Sequence, residues 1–206
     1  MNIEIHQKDD RTSWEELTKL FHEAFQERLD QGLHFTCSYF TPEELKRQSA
    51  NNIVLVAIDR STNVLAGTVS IEIHHNDGKN TWAYHYNLAV KPAYKKNGIA
   101  SQLFSRFQQI VKSRGCKYIK SDTAVGAESS IKWHLKNGFE IVGLKSWSST
   151  NYYSYVFRKQ LKCHPLWSNS LFCKIHYRLS SIKCRLCHHE DGRIKGLLKL
   201  YLRILS

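Results

Sequence analysis

Long apolar runs are absent from the sequence, since no stretch approaches the ~20 apolar residues that a membrane-spanning helix needs. The N-terminal segment also lacks the basic stretch and following apolar run of a secretory signal. We therefore expect a globular protein of the cytoplasm. Its six cysteines are scattered along the chain and are then expected to be reduced thiols.

Acidic residues are scarce as well. The 18 aspartates and glutamates stand against 30 lysines and arginines, which gives a formal net charge of +12. The excess is uneven, because residues 162–206 contain nine basic and two acidic residues, a local charge of +7. Such a charge can favour nucleic-acid binding, but no nucleic-acid-binding motif accompanies it, so no such partner is expected.

Hydrophobic periodicity predicts alternating strands and helices over residues 1–161. Helical spacing of apolar residues begins at Trp14 and Ile99, and a shorter helix is predicted from Ser129 to Asn137, where Gly138 ends it. Thr41-Pro42 has the cap and first-turn proline of a further short helix. Short turns alone separate three consecutive strands, which predicts antiparallel pairing between them. The predicted strands cover residues 3–5, 53–58, 64–73, 81–90, 118–123, 139–144 and 152–161.

The most informative stretch is the junction from Leu88 to Ser101, where a strand ends, a turn with three lysines follows and a helix begins. The first turn of a helix presents unpaired backbone N–H groups, and the helix dipole adds roughly half a positive charge there. Gly98 allows the backbone to come close to an anion, and Lys95 and Lys96 add positive charge. The junction is therefore predicted to be a phosphate-binding cradle.

Two motifs give this pattern a family resemblance. The run Lys95-Lys96-Asn97-Gly98-Ile99-Ala100 matches a Gln/Arg-x-x-Gly-x-Gly/Ala signature with Lys in the first place, and Gly138-Phe139 follows about forty residues later at the end of a helix. With these motifs the chain resembles the GNAT superfamily of acyl-CoA-dependent N-acyltransferases over about residues 1–161. The resemblance implies an α/β (α+β) fold with a mixed, mostly antiparallel sheet of six to seven strands and about four helices.

The same resemblance implies an enzyme that transfers an acetyl group from acetyl-CoA to a primary amine of a small molecule. Acetyl-CoA is the expected donor because no feature indicates a longer acyl pocket. The cradle would hold the pyrophosphate through backbone N–H groups and lysine charge, and the preceding strand would pair with the pantetheine arm. The implied cofactor-binding residues are Leu88, Ala89, Val90, Lys95, Lys96, Asn97, Gly98, Ile99, Ala100 and Ser101.

Catalytic residues are less clearly marked. Members of the family often place a tyrosine four residues before the Gly-Phe pair to protonate the departing thiolate, and here that position is His134, whose imidazole can donate a proton. A base must also take a proton from the amine, and His85 and Glu72 are the first candidates on the predicted fourth and third strands. The other candidates on these two strands are Tyr84, Tyr86 and His74.

The acceptor is expected over two loops, residues 30–40 and 146–151. Both are rich in aromatic or hydroxyl side chains and have few carboxylates, which favours an amino sugar or another acceptor with a neutral face. An alternative function is a non-catalytic acyl-CoA-binding or scaffolding module. It is suggested by His134 in place of the usual tyrosine and by Ala127 where many members have an asparagine.

Residues 162–206 lie beyond the usual end of the family and form a second predicted region. Helical spacing on both sides of Asp191-Gly192 predicts two basic amphipathic helices, which could pack on the domain, pair in a homodimer or lie on an anionic membrane surface. Two ligand pairs within them have a spacing that suits tetrahedral zinc, but the seven residues between the pairs are fewer than such sites usually have, so small buried thiols in a helix are the favoured explanation and no metal is expected. These residues are Cys173, His176, Cys184 and Cys187.

Overall fold

The computed structural model describes residues 1–76 and 80–161, so the predictions for residues 162–206 lie outside the described residues. Within the described chain there are seven strands and four α-helices. The strands are β1 Ile3–Gln7, β2 Ile53–Asp59, β3 Val64–Asn76, β4 Asn80–Val90, β5 Tyr118–Ala124, β6 Glu140–Ser146 and β7 Tyr153–Gln160. The α-helices are α1 Trp14–Asp30, α2 Pro42–Ser49, α3 Ile99–Ser113 and α4 Glu128–Lys136.

Two of the helices begin at capping boxes that are visible in the sequence. The Ser13 hydroxyl accepts the N–H of Glu16 at 3.1 Å, and the Glu16 carboxylate accepts the N–H of Ser13 at 2.8 Å. Thr41 and Glu44 form the same reciprocal pair at the start of α2. Each box satisfies two N–H groups that a helix start leaves without partners, which fixes where α1 and α2 begin.

The strands are hydrogen-bonded in the order β1-β2-β3-β4-β5-β7-β6. Pairing is antiparallel between β1 and β2, β2 and β3, β3 and β4, and β6 and β7, whereas β4 and β5 are parallel. The predicted mixed, mostly antiparallel sheet is confirmed with seven strands, and the three consecutive strands β2, β3 and β4 pair as expected.

Residues 1–120 form a compact unit with an apolar layer on each face of β2–β4. On one face α1 and α2 contribute Leu17, Phe21 and Leu45 to a buried cluster with Val54 and Val56 of β2. On the other face α3 buries an apolar stripe in which each residue is at most 1% exposed. This stripe is Ile99, Leu103, Phe104, Phe107 and Val111.

Residues 121–161 belong to a second unit with its own buried apolar side chains. Ile131 and Leu135 of α4 are buried, as are Phe139 and Phe157, whose rings meet edge to face at 6.5 Å. Gly138 has φ 80° and follows the last turn of α4, as the helix stop in the sequence predicted. No helix in the described part of the chain combines the length and apolarity needed to cross a membrane.

At Gly67 the backbone of β3 lies close to α3. A Cβ atom at Gly67 would lie 3.0 Å from the carbonyl oxygen of Ala89, 3.1 Å from Cγ2 of Ile99 and 3.2 Å from Cδ1 of Leu103. We expect Gly67→Ala to lower the free energy of unfolding by about 1–3 kcal/mol, because the added carbon overpacks a rigid contact. Urea denaturation measures this change.

Gly143 on β6 is the matched control, since a Cβ atom there would meet nothing within 4 Å. We expect Gly143→Ala to leave the midpoint of urea unfolding nearly unchanged. Equal destabilisation by both substitutions would contradict a special role for the Gly67 contact.

Candidate active site

The backbone between β4 and α3 turns twice through the left-handed region. Lys96 has φ 66°, and Gly98, which is the N-cap of α3, has φ 76°. Within the described residues no side chain caps α3, so the N–H groups of its first turn are available to a ligand. The turn from Lys95 to Gly98 is exposed to solvent. The predicted cradle thus has the backbone of an anion site.

Carboxylates of α1 pair with two of the three lysines in the turn. Lys91 Nζ lies 3.5 Å from the carboxylate of Glu23, and Lys95 Nζ donates a hydrogen bond of 2.8 Å to the carboxylate of Glu27. The bond from Lys95 lowers the pKa of Glu27 below its usual value. Lys96 has no ion-pair partner among the described residues, so its charge is the one most available to an anion.

A buried aspartate anchors the same turn to the rest of the sheet. Asp59 is 4% exposed and accepts the backbone N–H groups of Asn2 at 3.0 Å and Ser61 at 3.1 Å. The bond from Asn2 lowers the pKa of Asp59, so its carboxylate stays charged. The Tyr94 hydroxyl donates to this carboxylate at 3.3 Å and lies 3.1 Å from the hydroxyl of Thr62. Through these two contacts Tyr94 anchors the turn to Asp59 and Thr62.

The strand that leads into the cradle has an edge without a strand partner. β5 pairs with β4 only along Trp82–Tyr84. Among the described residues no strand pairs with β4 on that side from Tyr86 to Val90, although β4 continues to Val90. The edge includes Leu88–Val90, the residues expected to pair with a pantetheine arm through their backbone.

A bulge interrupts β4 at the start of that edge. Thr68 of β3 opposes Ala89, but Ser70 opposes Tyr86, so β4 contains one residue more than β3 over this interval. Asn87 lies in the bulge and has φ 52°. The bulge changes the side-chain alternation of β4 between its aromatic segment and the cradle.

Polar side chains gather on the face of β3–β4 that also carries α1 and α2. The Glu72 carboxylate lies 3.4 Å from Nε2 of His74, and its side chain is 45% exposed. The Tyr86 hydroxyl accepts a hydrogen bond of 2.6 Å from Nδ2 of Asn52. Burial raises the pKa of Tyr86 to about 12, and the charge of Glu72 adds to that shift. This face therefore offers an accessible carboxylate beside a hydroxyl that keeps its proton.

His85 lies on the opposite face of β4. It opposes Ile71 of β3 and is 2% exposed, and its ring meets Phe104 at 5.4 Å and Phe107 at 5.1 Å, edge to face in both cases. The structure therefore places His85 in the apolar layer under α3, apart from Glu72. A role for His85 as the general base stays a prediction.

His134 is buried in a hydrogen-bonded pocket of the second unit, with 4% of its surface exposed. Its Nδ1 lies 2.8 Å from the carbonyl oxygen of Ser130, which can only accept, so Nδ1 carries the proton. Its Nε2 lies 2.9 Å from the Ser121 hydroxyl and accepts a hydrogen bond from it. Burial lowers the pKa of His134 to about 4, so the imidazole is neutral at pH 7. Its role as the acid stays a prediction.

A cavity of about 400 Å³ lies between the loop after α1 and the helix α2. Asn52 connects its rim to the polar face, because Asn52 Nδ2 donates to the carbonyl oxygen of Gln48 at 2.7 Å and to Tyr86. The predicted acceptor loop 30–40 contributes half of the lining. The lining residues are Thr36, Tyr39, Phe40, Glu44, Arg47 and Gln48. In the second predicted loop, Trp147 donates its indole N–H to Asp122 at 3.1 Å.

A family match of the sequence agrees with this site, in which an uncapped helix start follows a strand with an open edge. Residues 14–139 match the model of the acetyltransferase (GNAT) family. The chain belongs to the GNAT family of acetyltransferases. No relative matches this GNAT chain among curated proteins.

Solved structures share the fold of this GNAT protein at low identity. One is PaiA N-acetyltransferase from Thermoplasma acidophilum in complex with coenzyme A, with 20% identity, a TM-score of 0.60, and coverage of 78% of this chain and 99% of that chain. Another is aminoglycoside 6'-acetyltransferase type Ii, with 19% identity, a TM-score of 0.58, and coverage of 80% and 100%. A GNAT acetyltransferase from Elizabethkingia anophelis with acetyl-CoA bound has 14% identity, a TM-score of 0.55, and coverage of 77% and 98%.

Several residues of the site have no signal in the sequence. Asp59 and Tyr94 meet across 35 positions of the chain, and Asn52 reaches Tyr86 across 34. Ser121 is a small polar residue in a predicted strand, and only the position of α4 brings it to His134. Buried residues alternate along β5, and two of them, Ser121 and Thr123, are polar. Polar residues at the buried positions of a strand are the one pattern in the sequence that could have indicated a polar group in the interior.

The protonation state of His134 predicts a pH dependence of stability. Its pKa is about 4 in the folded protein and near 6.5 in the unfolded chain, so the unfolded chain binds more protons between these values. Stability is then complete above pH 6.5 and falls as the pH drops towards 4. Between pH 7.5 and pH 5 we expect a loss of about 2 kcal/mol from this group.

Urea denaturation of the wild type and of His134→Gln at these two pH values measures the effect. Glutamine cannot become charged, so the variant should lose less stability on acidification, whatever its stability at pH 7.5. Equal losses in the two proteins would show that His134 is not held neutral in the folded state.

Proposed function

We propose that this GNAT protein is an acetyl-CoA-dependent N-acetyltransferase of the cytoplasm that acts on the primary amine of a small molecule such as an amino sugar. The observation that carries the proposal is the junction from β4 to α3. There, an open strand edge, two left-handed residues and an uncapped helix start follow one another within fourteen residues, Leu88 to Ser101. Each of these features costs stability or leaves polar groups open, which is expected of a ligand site.

The residues at this junction suit coenzyme A. The first-turn N–H groups of α3 and the free ammonium of Lys96 supply donors and charge for a pyrophosphate. The backbone of Leu88–Val90 supplies N–H and C=O groups for the two amides of a pantetheine arm, in the way that one strand adds to another. Bound there, acetyl-CoA would supply a thioester that a neutral amine can attack, with coenzyme A as the leaving thiol.

The polar face of β3–β4 suits the proton transfer from the amine. We propose Glu72 as the general base, because its carboxylate is accessible and can reach a substrate directly or through water. Tyr86 would remain protonated and donate a hydrogen bond to the acceptor. His134 is the proposed acid. Because the neutral imidazole keeps its one proton on Nδ1, Nε2 would have to take up a proton before His134 could protonate the leaving thiolate.

The cavity beside α2 is the proposed acceptor pocket. Tyr39 is 56% exposed and offers an aromatic surface for a ring. The carboxylate of Glu44 is already used in the capping box of α2, whereas Arg47 forms no ion pair with the described residues and can bind a polar group of the acceptor. This lining agrees better with a hydroxylated or partly anionic amine than with a polyamine, which would need free carboxylates.

Binding of acetyl-CoA tests the proposal without knowledge of the acceptor. Calorimetric titration should show binding to the wild type. In Gly98→Val a β-branched residue would have to adopt φ 76°, so we expect the dissociation constant to rise ~10-fold or more. Lys96→Ala should weaken binding by a factor of ~5, the loss of one exposed charge contact.

Lys112→Ala is the matched control, because Lys112 is exposed in the last turn of the same helix. It should bind acetyl-CoA as tightly as the wild type. No binding to the wild type, or equal weakening by Lys96→Ala and Lys112→Ala, would contradict the proposed cradle.

Turnover separates an enzyme from a binding module. Thiol release from acetyl-CoA should rise above background with at least one member of a panel of amino sugars and other primary amines. With that acceptor, Glu72→Gln should lower kcat by ~100-fold, since the amide cannot take the proton, and should leave acetyl-CoA binding unchanged.

Glu15→Gln, at an exposed position in the first turn of α1, is the control and should keep wild-type kcat. A Glu72→Gln variant with wild-type kcat would exclude Glu72 as the base. Thiol release at background with every amine would favour the non-catalytic module.

A further inference from the structure

The two carboxylate oxygens of Asp59 bind different parts of the chain. Oδ1 accepts the backbone N–H groups of Asn2 at 3.0 Å and of Ser61 at 3.1 Å, and so joins the start of β1 to the turn between β2 and β3. Oδ2 accepts the hydroxyl of Tyr94 at 3.3 Å. Because two N–H donors already occupy Oδ1, the second oxygen is left for the turn that leads into α3.

The charge of Asp59 is not needed for the turn between β2 and β3. Asp59 is 4% exposed, and a carboxylate withdrawn from water is unfavourable unless hydrogen bonds stabilise its charge. An asparagine forms the same side-chain bond to the N–H two residues later and is neutral. The charge is explained at Oδ2, because a carboxylate oxygen accepts a phenol proton more strongly than a neutral oxygen does.

Tyr94 passes this anchor on to the cradle through its backbone. The N–H of Tyr94 donates to the carbonyl oxygen of Lys91 at 2.8 Å, and its own carbonyl oxygen accepts Nδ2 of Asn97 at 3.4 Å. Asn97 lies between Lys96 and Gly98, the two residues of the turn with a left-handed φ. A displacement of Tyr94 is therefore transmitted to the strained part of the cradle.

The cradle depends on such an anchor because other contacts fix its shape weakly. Residues 95–98 are exposed, so packing contributes little to their conformation. The ion pair between Lys95 and Glu27 is exposed as well, and pairs of this kind add little stability. A backbone that already has its binding conformation before the ligand arrives binds more tightly, since less ordering accompanies binding.

We infer that Asp59 is a positioning residue for acetyl-CoA, whose Oδ2 atom fixes the cradle through the Tyr94 hydroxyl while Oδ1 serves the turn between β2 and β3. The inference rests on the proposed function, which places the pyrophosphate at the cradle. Because Asp59 acts through Tyr94 on a binding segment, its effect belongs to the affinity for acetyl-CoA and not to the chemical step.

Calorimetric titration with acetyl-CoA tests this contact. Tyr94→Phe removes only the hydroxyl, and we expect the dissociation constant to rise ~10-fold, the effect of losing one hydrogen bond to a charged group. Asp59→Asn keeps Oδ1 as an acceptor and should raise the dissociation constant ~3-fold, because a neutral amide replaces the charged acceptor. The double variant should bind as Tyr94→Phe does, since Asp59 acts only through the hydroxyl.

Tyr118→Phe is the matched control for the loss of a phenol hydroxyl. Tyr118 is a half-buried residue of β5, as Tyr94 is half-buried in its turn, and its ring stacks on Trp82 at 5.8 Å. This variant should bind acetyl-CoA as tightly as the wild type.

Steady-state kinetics with an accepted amine separates positioning from catalysis. At saturating acetyl-CoA, kcat of Tyr94→Phe should equal that of the wild type, whereas KM for acetyl-CoA should rise ~10-fold, as expected when only binding is lost. A fall in kcat with an unchanged KM would show that the hydroxyl acts in the chemical step and would contradict a positioning role.

Each titration result has a defined meaning. Equal dissociation constants for Tyr94→Phe and Tyr118→Phe overturn the inference and leave the proposed function intact. Wild-type or tighter binding by Asp59→Asn also overturns it, and so does a double variant that is weakened further by the same factor as Asp59→Asn alone, because Asp59 would then act independently of the hydroxyl. Wild-type protein that does not bind acetyl-CoA overturns the proposed function and this inference together.

Discussion

The absence of a side chain at Gly67 is the constraint on which the arrangement of the site depends. It allows the first turn of α3 to lie on β3 while the last residues of β4 pass alongside. A Cβ atom at Gly67 would contact Ala89, Ile99 and Leu103. Since packed interiors deform little, this contact fixes the helix start relative to the strand edge. The ion pairs from α1 and the Tyr94–Asp59 hydrogen bond then hold the intervening turn.

Local patterns were enough to predict the elements of the fold, but the contacts between elements could not be predicted in the same way. The capping boxes at Ser13 and Thr41, the apolar spacing from Ile99 and the stop at Gly138 are each determined within a few residues, so the sequence shows them directly. The pairing of Lys95 with Glu27 spans 68 positions and depends on how α1 lies beside the turn. Long flexible side chains leave no periodic signal of such a partner.

The two candidate bases show why strand register matters for function. Glu72 and His85 are both polar residues near the middle of predicted neighbouring strands, and the sequence does not distinguish them. In the structure His85 opposes Ile71 and Glu72 opposes Tyr84, so the two side chains lie on opposite faces. The bulge at Asn87 shifts the alternation of side chains along β4 by one residue. If residues were counted back from the cradle without this bulge, Tyr84 and His85 would each be assigned to the wrong face of the sheet. An extra residue in a strand cannot be recognised from hydrophobicity alone.

Left-handed residues that are not glycine identify where the chain keeps a strained backbone. Within the described residues these are Asn63, Asn87 and Lys96. Asn63 has an ordinary explanation, because a tight turn between two strands needs such a residue and asparagine tolerates it. Lys96 has no such local compensation, since lysine lacks a short polar side chain that could bond to its own backbone. The strain at Lys96 persists next to a helix start that presents open N–H groups, and its ammonium has no partner within the described chain. A residue held in this way adds positive charge where the helix dipole already favours an anion, so the strain and the electrostatics at Lys96 serve the same site.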